Sequence, residues 1–233
     1  QRPLCCCTTG GLWLGRRPPR GESERGDTEQ AMARRKIEAI EGFRLDRRHS
    51  VADQVYARMK SDIVSLVFAP GDILSETELG NALKVSRTPI RQAVKRLADE
   101  GFVESVPQYG TMVSYLDIAK LEEAQFMREA LECALVRRAA ERVSAAQAVS
   151  LGQMLDAQDA AAAGEDVAAF YVLDQEFHRT ICEMAGLPGA WKTVEVAASH
   201  LSRARRLSLP LPFVRSEAVA QHRAIAAALA RND

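Results

Sequence analysis

The stretch that decides the fold is Val85-Ser86-Arg87-Thr88-Pro89-Ile90-Arg91-Gln92-Ala93-Val94-Lys95-Arg96-Leu97. Ser86 is a good helix N-cap, because its hydroxyl can accept a hydrogen bond from a first-turn amide. Pro89 falls in the first turn, where a missing N–H is tolerated. An apolar face follows at helical spacing, formed by Ile90, Ala93, Val94 and Leu97. The stretch therefore predicts a short amphipathic helix.

The opposite face of this helix is cationic. Arg87, Arg91 and Lys95 are each four residues apart, so they form one row. From Lys84 to Arg96 there are five cations and no acid. Such a helix suits a DNA groove, because its end and side chains can hold phosphate and Arg can bind guanine edges. A cationic helix alone is more often a solvated surface helix, so the neighbouring elements must decide.

The neighbouring elements complete a winged helix-turn-helix. Ser75-Glu76-Thr77-Glu78 is a capping-box pattern that starts another helix. The two residues Lys84 and Val85 then leave room only for the tight turn of a helix-turn-helix. Gly101 ends the cationic helix, and alternating β-branched residues follow it. The other predicted elements are a helix over Val51–Leu66, a strand over Phe102–Val106, a turn over Pro107–Gly110 and a strand over Thr111–Ser114.

This segment resembles the DNA-binding domain of GntR-family transcriptional regulators, and within them the FadR branch. The resemblance rests on Pro70-Gly71-Asp72-x-Leu74-Ser75-Glu76-x-Glu78-Leu79, Val85-Ser86-Arg87-Thr88-Pro89-Ile90-Arg91-x-Ala93, Leu97-x-x-Glu100-Gly101 and Gly110-Thr111-x-Val113. It implies DNA contacts at two helix starts and at the wing tip. Matched by position, these are Thr77, Ser86, Arg87, Thr88, Arg91, Tyr109 and Gly110. Some members have Arg where this chain has Thr77, which leaves the operator sequence open.

Charge and cysteine content restrict the class of protein. The chain has 233 residues, with 31 basic side chains against 31 acidic ones, so a DNA-binding surface must come from local charge. The five cysteines are irregularly spaced and form no CxxC motif, which fits a protein of the reducing cytosol. The longest hydrophobic runs fall short of a membrane span, so a soluble, cytoplasmic protein is expected.

The first 48 residues do not read as a domain. They combine Cys5-Cys6-Cys7 with a run of Arg and Pro, and they show almost no apolar period. Two interpretations compete: a disordered arm, or upstream sequence translated by mistake with Met32 as the true start. The sequence then predicts the winged helix-turn-helix over residues 49–115 and a second domain over 118–233, with the intervening linker as a candidate hinge.

The second domain reads as all-α. Ala, Leu, Arg and Glu dominate, and strand patterns disappear. Ser144 and Asp166 are predicted helix caps, and Gly164 and Gly186 are predicted helix ends. The predicted helices are Ile118–Arg142, Ser144–Ala163, Asp166–Ala185, Gly189–Leu207 and Val214–Ala230. The fold class is therefore mainly α, a winged helix-turn-helix with a small β-hairpin followed by an antiparallel helical bundle.

Three residues of the bundle have the chemistry of metal ligands. Asp174 and His178 lie four apart, so they leave the same helix face and can share a divalent ion. His222, on the last predicted helix, can close such a site. An Asp/His pair at this spacing is more often a surface hydrogen bond, so spacing alone leaves both interpretations open.

A second resemblance bears on that choice. Arg128-x-x-Leu131-Glu132, Asp174-x-x-Phe177-His178 and His222-Arg223-x-Ile225 resemble the FCD effector-binding domain. Its metal-binding members hold a divalent ion with one Asp and three His, and the ion helps to hold a small organic acid. The resemblance implies Asp174, His178 and His222 as ligands, with the fourth on a helix that would follow Asp233. Zinc, manganese and nickel all suit such nitrogen and oxygen ligands.

Three further residues are candidates for effector binding. Arg128 can line the pocket or pair with Glu132 on its own helix. His200 can face the pocket, and Arg203 can pair with an effector carboxylate or form a surface salt bridge. The resulting expectation is a ligand-responsive DNA-binding regulator, a repressor that acts as a homodimer on a pseudo-palindromic operator. The alternatives are a metal-dependent enzyme acting on small organic acids and a DNA-architectural protein with a vestigial bundle.

Overall fold

The computed structural model describes residues 43–108, 110–164 and 166–231. The chain divides into two compact units between Leu116 and Asp117. The proposed N-terminal arm up to residue 42 and the wing residue Tyr109 lie outside the described residues, so the predictions made for them stay predictions.

The described residues of the N-terminal unit form three helices and one small sheet. The helices are α1 (Val51–Val64), α2 (Glu76–Leu83) and α3 (Arg87–Asp99). The strands β1 (Ile73–Leu74), β2 (Val103–Val106) and β3 (Gly110–Val113) form an antiparallel sheet in the order β1-β3-β2. The buried core draws on every helix and on the sheet, with Val55, Met59, Ile63, Leu79, Leu83, Ile90, Leu97, Phe102 and Val113. The winged helix-turn-helix prediction is confirmed.

The turn between α2 and α3 is tight for a visible reason. Lys84 has a left-handed backbone (φ 55°), and the Val85 amide donates back to the Gly80 carbonyl at 2.9 Å. A Cβ on Gly80 would lie 3.2 Å from the Val85 carbonyl oxygen, so a glycine lets the chain fold back closely. Ser75 caps α2 as expected, accepting from the Glu78 amide at 3.3 Å. Ser86 occupies the N-cap position of α3 but makes no side-chain cap hydrogen bond, so that detail was wrong.

The sheet has one strand more than the sequence analysis expected. Ile73 and Leu74 pair with Met112 and Thr111 of β3. A two-residue strand is too short to show alternation, so periodicity could not reveal it. The expected wing is present, with Val103 opposite Val113 and Val106 opposite Gly110.

Every regular element in the described part of the C-terminal unit is a helix. Its helices are α4 (Ile118–Ala140), α5 (Ala145–Ala163), α6 (Val167–Met184), α7 (Ala190–Ala197), α8 (Ser199–Ser208) and α9 (Pro212–Ala230). Four of the five predicted helices are present with small shifts at their ends. The remaining predicted helix, Gly189–Leu207, is in fact two helices that meet at Ala198. Pro212 begins α9 rather than preceding it, which is a favourable position for proline.

The core of this unit lies between α4, α5, α6 and α9. Leu135, Leu151, Leu155 and Phe177 are buried there together with Leu229. Ser144 starts α5 with a complete capping box, and Asp166 caps α6. In the described parts of the chain, no helix combines the length and hydropathy that crossing a bilayer requires.

Candidate nucleic-acid interface and metal centre

The outer face of α3 carries the side chains that the sequence suggested for DNA. Arg87, Thr88 and Arg91 are exposed, whereas Ile90, Ala93 and Leu97 on the opposite face are buried. The apolar face packs against the rest of the core, and the cationic face is left to solvent. Thr77 at the start of α2 and Ser86 before α3 are exposed as well.

Two of the cations on α3 are held by carboxylates. Arg91 donates to Glu76 at 2.9 Å, a pair that keeps both side chains near the start of α2. Arg96 instead turns towards α1, where it donates to Asp53 at 2.9 Å and lies 3.7 Å from the centre of the Tyr56 ring. Arg96 therefore stabilises the packing of α1 on α3, and the cationic stretch offers one fewer cation to DNA than its sequence suggested.

The beginnings of α1 and α3 meet at a shallow cleft. Ser50, Lys84 and Ser86 line it together with Pro89. Helix N-termini carry partial positive charge, so this edge of the unit favours anions. On the wing, Gly110 is exposed and has a left-handed backbone (φ 96°) that favours glycine.

The second unit contains a buried cluster of one aspartate and two histidines. Asp174 and His178 leave one face of α6, and His222 comes from α9. All three are buried, and one ligand-type atom from each lies within 4.8 Å of the others. Among the described residues, the spacing of Asp174 and His178 thus marks a buried constellation and not a surface hydrogen bond.

His222 has a defined tautomer. Gln158 on α5 donates its amide to the Leu173 carbonyl at 2.7 Å, so its own carbonyl oxygen must face the other way. That oxygen lies 2.8 Å from His222 Nδ1, which must carry a proton and donate it. The Nε2 lone pair is then left buried, with no hydrogen-bond partner among the described residues, and it lies 3.8 Å from Asp174 Oδ1.

His178 has the same tautomer, fixed by other groups. A guanidinium cannot accept, so Arg128 donates to His178 Nε2 at 2.8 Å. The protonated Nδ1 faces Glu132, 3.4 Å from its carboxylate. Arg128 in turn donates to Glu132 at 2.7 Å. Glu132 therefore orients both the histidine and the arginine, which is the usual role of a carboxylate behind a ligating histidine.

Asp174 is fully buried and ionised. Arg205 of α8 donates to its Oδ1 at 2.5 Å, and Gln175 donates to its Oδ2 at 3.0 Å. Burial opposes the charge, but the Arg205 guanidinium holds the pKa of Asp174 well below its usual range, and the Arg128 charge adds to this effect.

Both histidines stay neutral in the folded protein. Burial lowers the pKa of His222 to about 4. Burial and the Arg128 charge also hold the pKa of His178 well below its ordinary value. Neutral imidazoles are the form that ligates metal, so burial leaves each ring with one unprotonated nitrogen, which on His178 accepts from Arg128.

The donor set fits a divalent cation. The unpartnered His222 Nε2 lies beside an ionised carboxylate, and glutamine and glutamate orient the two histidines from behind. Ligands of one zinc ion lie about 2.0–2.2 Å from it, so three atoms up to 4.8 Å apart must draw together slightly.

The predicted effector residues do not all join this cluster. Arg128 does, through His178. His200 is half-buried and is not among the metal-ligating group found in the described residues. Arg203 is fully buried, and burial lowers its pKa to about 10. The arginine that reaches Asp174 is Arg205, two residues further along α8.

Two residues that the sequence analysis did not select prove central, namely Gln158 and Arg205. Gln158 lies on the buried stripe of α5 that Leu151, Leu155 and Ala162 also form. A polar side chain at such a position needs a partner, because an unpaired buried amide is costly. That signal was present in the sequence for Gln158, and the same reasoning applies to Arg205, which lies at helical spacing from the buried Ala198 and Leu209.

Comparison with known proteins agrees with this division of the chain. Residues 51–113 match the family described as bacterial regulatory proteins, gntR family. Residues 123–233 match the FCD domain.

Several relatives are transcriptional regulators by name. The HTH-type transcriptional repressor RspR of Escherichia coli (strain K12) is 34% identical over 183 residues, which cover 78% of this chain and 80% of that protein. A regulator in an unstable DNA locus of Streptomyces ambofaciens is 36% identical over 179 residues, which cover 77% of this chain and 75% of that protein. A probable D-xylose utilization operon transcriptional repressor of Paenarthrobacter nicotinovorans is 30% identical, covering 80% and 81%.

Two solved structures share the fold. E. coli McbR/YncC has a TM-score of 0.60 at 21% identity, covering 79% of this chain and 88% of that one. A putative GntR regulator from Rhodococcus sp. RHA1 has a TM-score of 0.54 at 21% identity, covering 77% and 91%.

Proposed function

Because this chain belongs to the GntR family of transcriptional regulators and carries an FCD domain, we propose that it is a repressor that senses a small organic acid through a divalent metal ion. Its family and its relatives are transcriptional regulators and not enzymes, and the same holds for this chain. Two of those relatives are named as repressors, which supports the sign of regulation.

The DNA-binding part of the proposal concerns the exposed face of α3. We propose that Arg87 and Arg91 contact base edges or phosphates, together with Ser86 and Thr88, and the exposure of all four side chains supports this. Thr77, Tyr109 and Gly110 are the proposed contacts from α2 and the wing. One recognition helix covers only a few base pairs, so we propose a homodimer on a pseudo-palindromic operator.

The sensing part rests on one observation, the buried cluster in which His222 Nε2 has no hydrogen-bond partner among the described residues. Asp174, His178 and His222 would hold the ion. The ion would supply a Lewis-acid contact for carboxylate oxygens at the positions that three protein ligands leave open. Arg128 stands beside these ligands, and His200 and Arg203 on α8 remain proposed contacts to the acid. We propose the linker 115–117 as the hinge that transmits effector binding.

Two experiments test the two parts separately. Duplexes selected from a random library should converge on a pseudo-palindrome that the purified chain binds. Elemental analysis should find a divalent metal, and EDTA should lower the melting temperature. His178→Ala and His222→Ala should each abolish that EDTA effect but leave operator binding intact, whereas the exposed His49→Ala should change neither. Selection without any consensus would refute DNA recognition; a metal-free protein indifferent to EDTA would refute the metal site.

A further inference from the structure

Two guanidinium groups donate to atoms of the proposed metal ligands, one to the only lone pair of His178 and one to the carboxylate of Asp174. Arg205 donates to Asp174 Oδ1 at 2.5 Å, and Arg128 donates to His178 Nε2 at 2.8 Å. His222 Nε2 differs, because it has no hydrogen-bond partner in the described chain. Two of the three ligands are thus engaged by cations that belong to the chain itself.

The charges of this network already balance. Asp174 and Glu132 supply two negative charges, Arg128 and Arg205 supply two positive ones, and the histidines add none in the tautomers that Arg128 and Gln158 select. Adding a divalent ion would leave two uncompensated positive charges in a buried site, which is strongly unfavourable. A guanidinium must therefore withdraw, or an anion must enter with the metal.

Building on the proposed metal site, we propose that Arg205 closes the metal-free site. Its guanidinium stands in for the cation at Asp174, so that Arg205 and a divalent ion exclude each other. His178 can ligate through Nε2 only if Arg128 also turns its guanidinium away from that nitrogen. Arg205 is the guanidinium that leaves the cluster, because its side chain is 14% exposed whereas that of Arg128 is 4% exposed. Arg205 also comes from α8, whereas both histidines and Asp174 come from α6 and α9.

Withdrawal gives Arg205 a second role. Once it has left Asp174, the Arg205 guanidinium can donate to the carboxylate of an organic acid bound at the metal. Such charge-assisted pairs are strong and geometrically selective. Binding of the anion and binding of the metal would then each raise the affinity for the other, because both favour the state in which Arg205 has left Asp174. The site would respond to the pair of ligands more strongly than to the metal alone.

The test is the affinity for Zn²⁺ alone, in a buffer free of carboxylates, by competition with a chelator of known affinity. Arg205→Gln removes the competing cation, so the full chain should bind Zn²⁺ at least about tenfold more tightly than the wild type. Arg206→Gln is the matched control, since it removes the same charge from the neighbouring residue, whose guanidinium lies 3.6 Å from the centre of the Tyr171 ring. It should leave the affinity within about twofold.

Stability supplies a second readout. Without metal, Arg205→Gln leaves Asp174 buried and short of a partner, so melting in EDTA should occur at a lower temperature than for the wild type. Zn²⁺ should restore more stability to Arg205→Gln than to the wild type. If the wild type binds Zn²⁺ and Arg205→Gln binds it equally or more weakly, the competition between Arg205 and the metal is overturned, but the metal site stands. Absence of Zn²⁺ binding in the wild type and the variants alike would instead refute the metal site, and the exclusion with it.

Discussion

Arg87 and Arg91 leave the same face of α3 one turn apart, and both are exposed. We expect Arg87→Ala and Arg91→Ala each to weaken operator binding by roughly 1–3 kcal/mol, since each would lose a base or phosphate contact. Fluorescence anisotropy at fixed salt measures this. Lys192→Ala, an exposed cation on α7, is the control and should have little effect. Lys60 would be a poor control, because it pairs with Glu100 at 2.7 Å. Equal losses for all three variants would contradict the assignment of α3 as recognition helix.

Gln158 sets the direction of the His222 lone pair without facing the ligands itself. Replacement by Leu removes the acceptor for His222 Nδ1–H, so the ring is free to adopt the other tautomer. We expect Gln158→Leu to lower metal affinity by about 10–100-fold, as is typical for groups behind a ligand.

The control for that substitution is Gln153→Leu, an exposed position on the same helix, which should leave metal affinity unchanged. Nitrogen NMR shifts of the His222 ring in the metal-free protein provide an independent measure. They should show a proton on Nδ1 in the wild type and a mixture in Gln158→Leu. A variant with the wild-type tautomer and wild-type affinity would show that Gln158 only fills space.

At the scale of elements, the helices followed from caps and periodicity, and the exceptions have physical causes. Ser144 and Asp166 cap α5 and α6 at the predicted places. The break at Ala198 has no Gly or Pro to announce it, since alanine favours a continuous helix. Packing, and not local propensity, must set that break. The two-residue β1 was equally invisible, because its pairing depends on β3 and not on its own sequence.

Arg215 joins three elements by donating to backbone carbonyls. Its guanidinium bonds to the Ala162, Leu209 and Gly164 carbonyl oxygens at 3.1, 2.6 and 3.1 Å, and the residue is buried. The ends of α5 and α8 thus receive hydrogen bonds that their own helices cannot provide. We expect Arg215→Met to lower the free energy of unfolding by about 3 kcal/mol or more, because several buried carbonyls lose their donor.

Denaturant unfolding followed by circular dichroism measures that loss. The comparison is Arg223→Met, which breaks an exposed contact between α9 and α5 in which Arg223 lies 3.0 Å from Asp156. An exposed ion pair contributes at most about 1 kcal/mol, so this variant should stay close to the wild type. Equal effects of both substitutions would mean that the carbonyl contacts of Arg215 contribute little.

At the scale of the whole molecule, the sequence identified the candidate metal ligands but not the hydrogen-bond partners that orient them. Asp174, His178 and His222 were recognisable from spacing and resemblance, since their positions repeat a pattern. The partners that fix tautomers and charge come from helices distant in sequence: Gln158 is 64 residues from His222, and Arg205 is 31 from Asp174. No periodicity links such pairs, so only the packed bundle reveals them.

The buried neutral histidines make the stability of the helical unit depend on pH. An unfolded histidine has a pKa near 6.5, whereas burial lowers that of folded His222 to about 4. Between these values the unfolded chain binds a proton that the folded chain does not, so stability falls as pH falls. His178 acts in the same direction, and Asp174 adds a loss at still lower pH, where protonation ends its attraction to Arg205.

We therefore expect the EDTA-treated chain to lose about 2 kcal/mol of unfolding free energy between pH 6.5 and 5 from His222 alone. Trp191 lies in the helical unit with its ring parallel to that of His178, so its fluorescence reports the unfolding of that unit. His222→Gln should flatten the pH dependence, whereas His49→Gln, at an exposed position, should not. If the unfolding free energy were constant over this range, the folded and unfolded histidines would bind protons equally. The cluster would then be open to water, and its neutral, metal-ready state would need a cause other than burial.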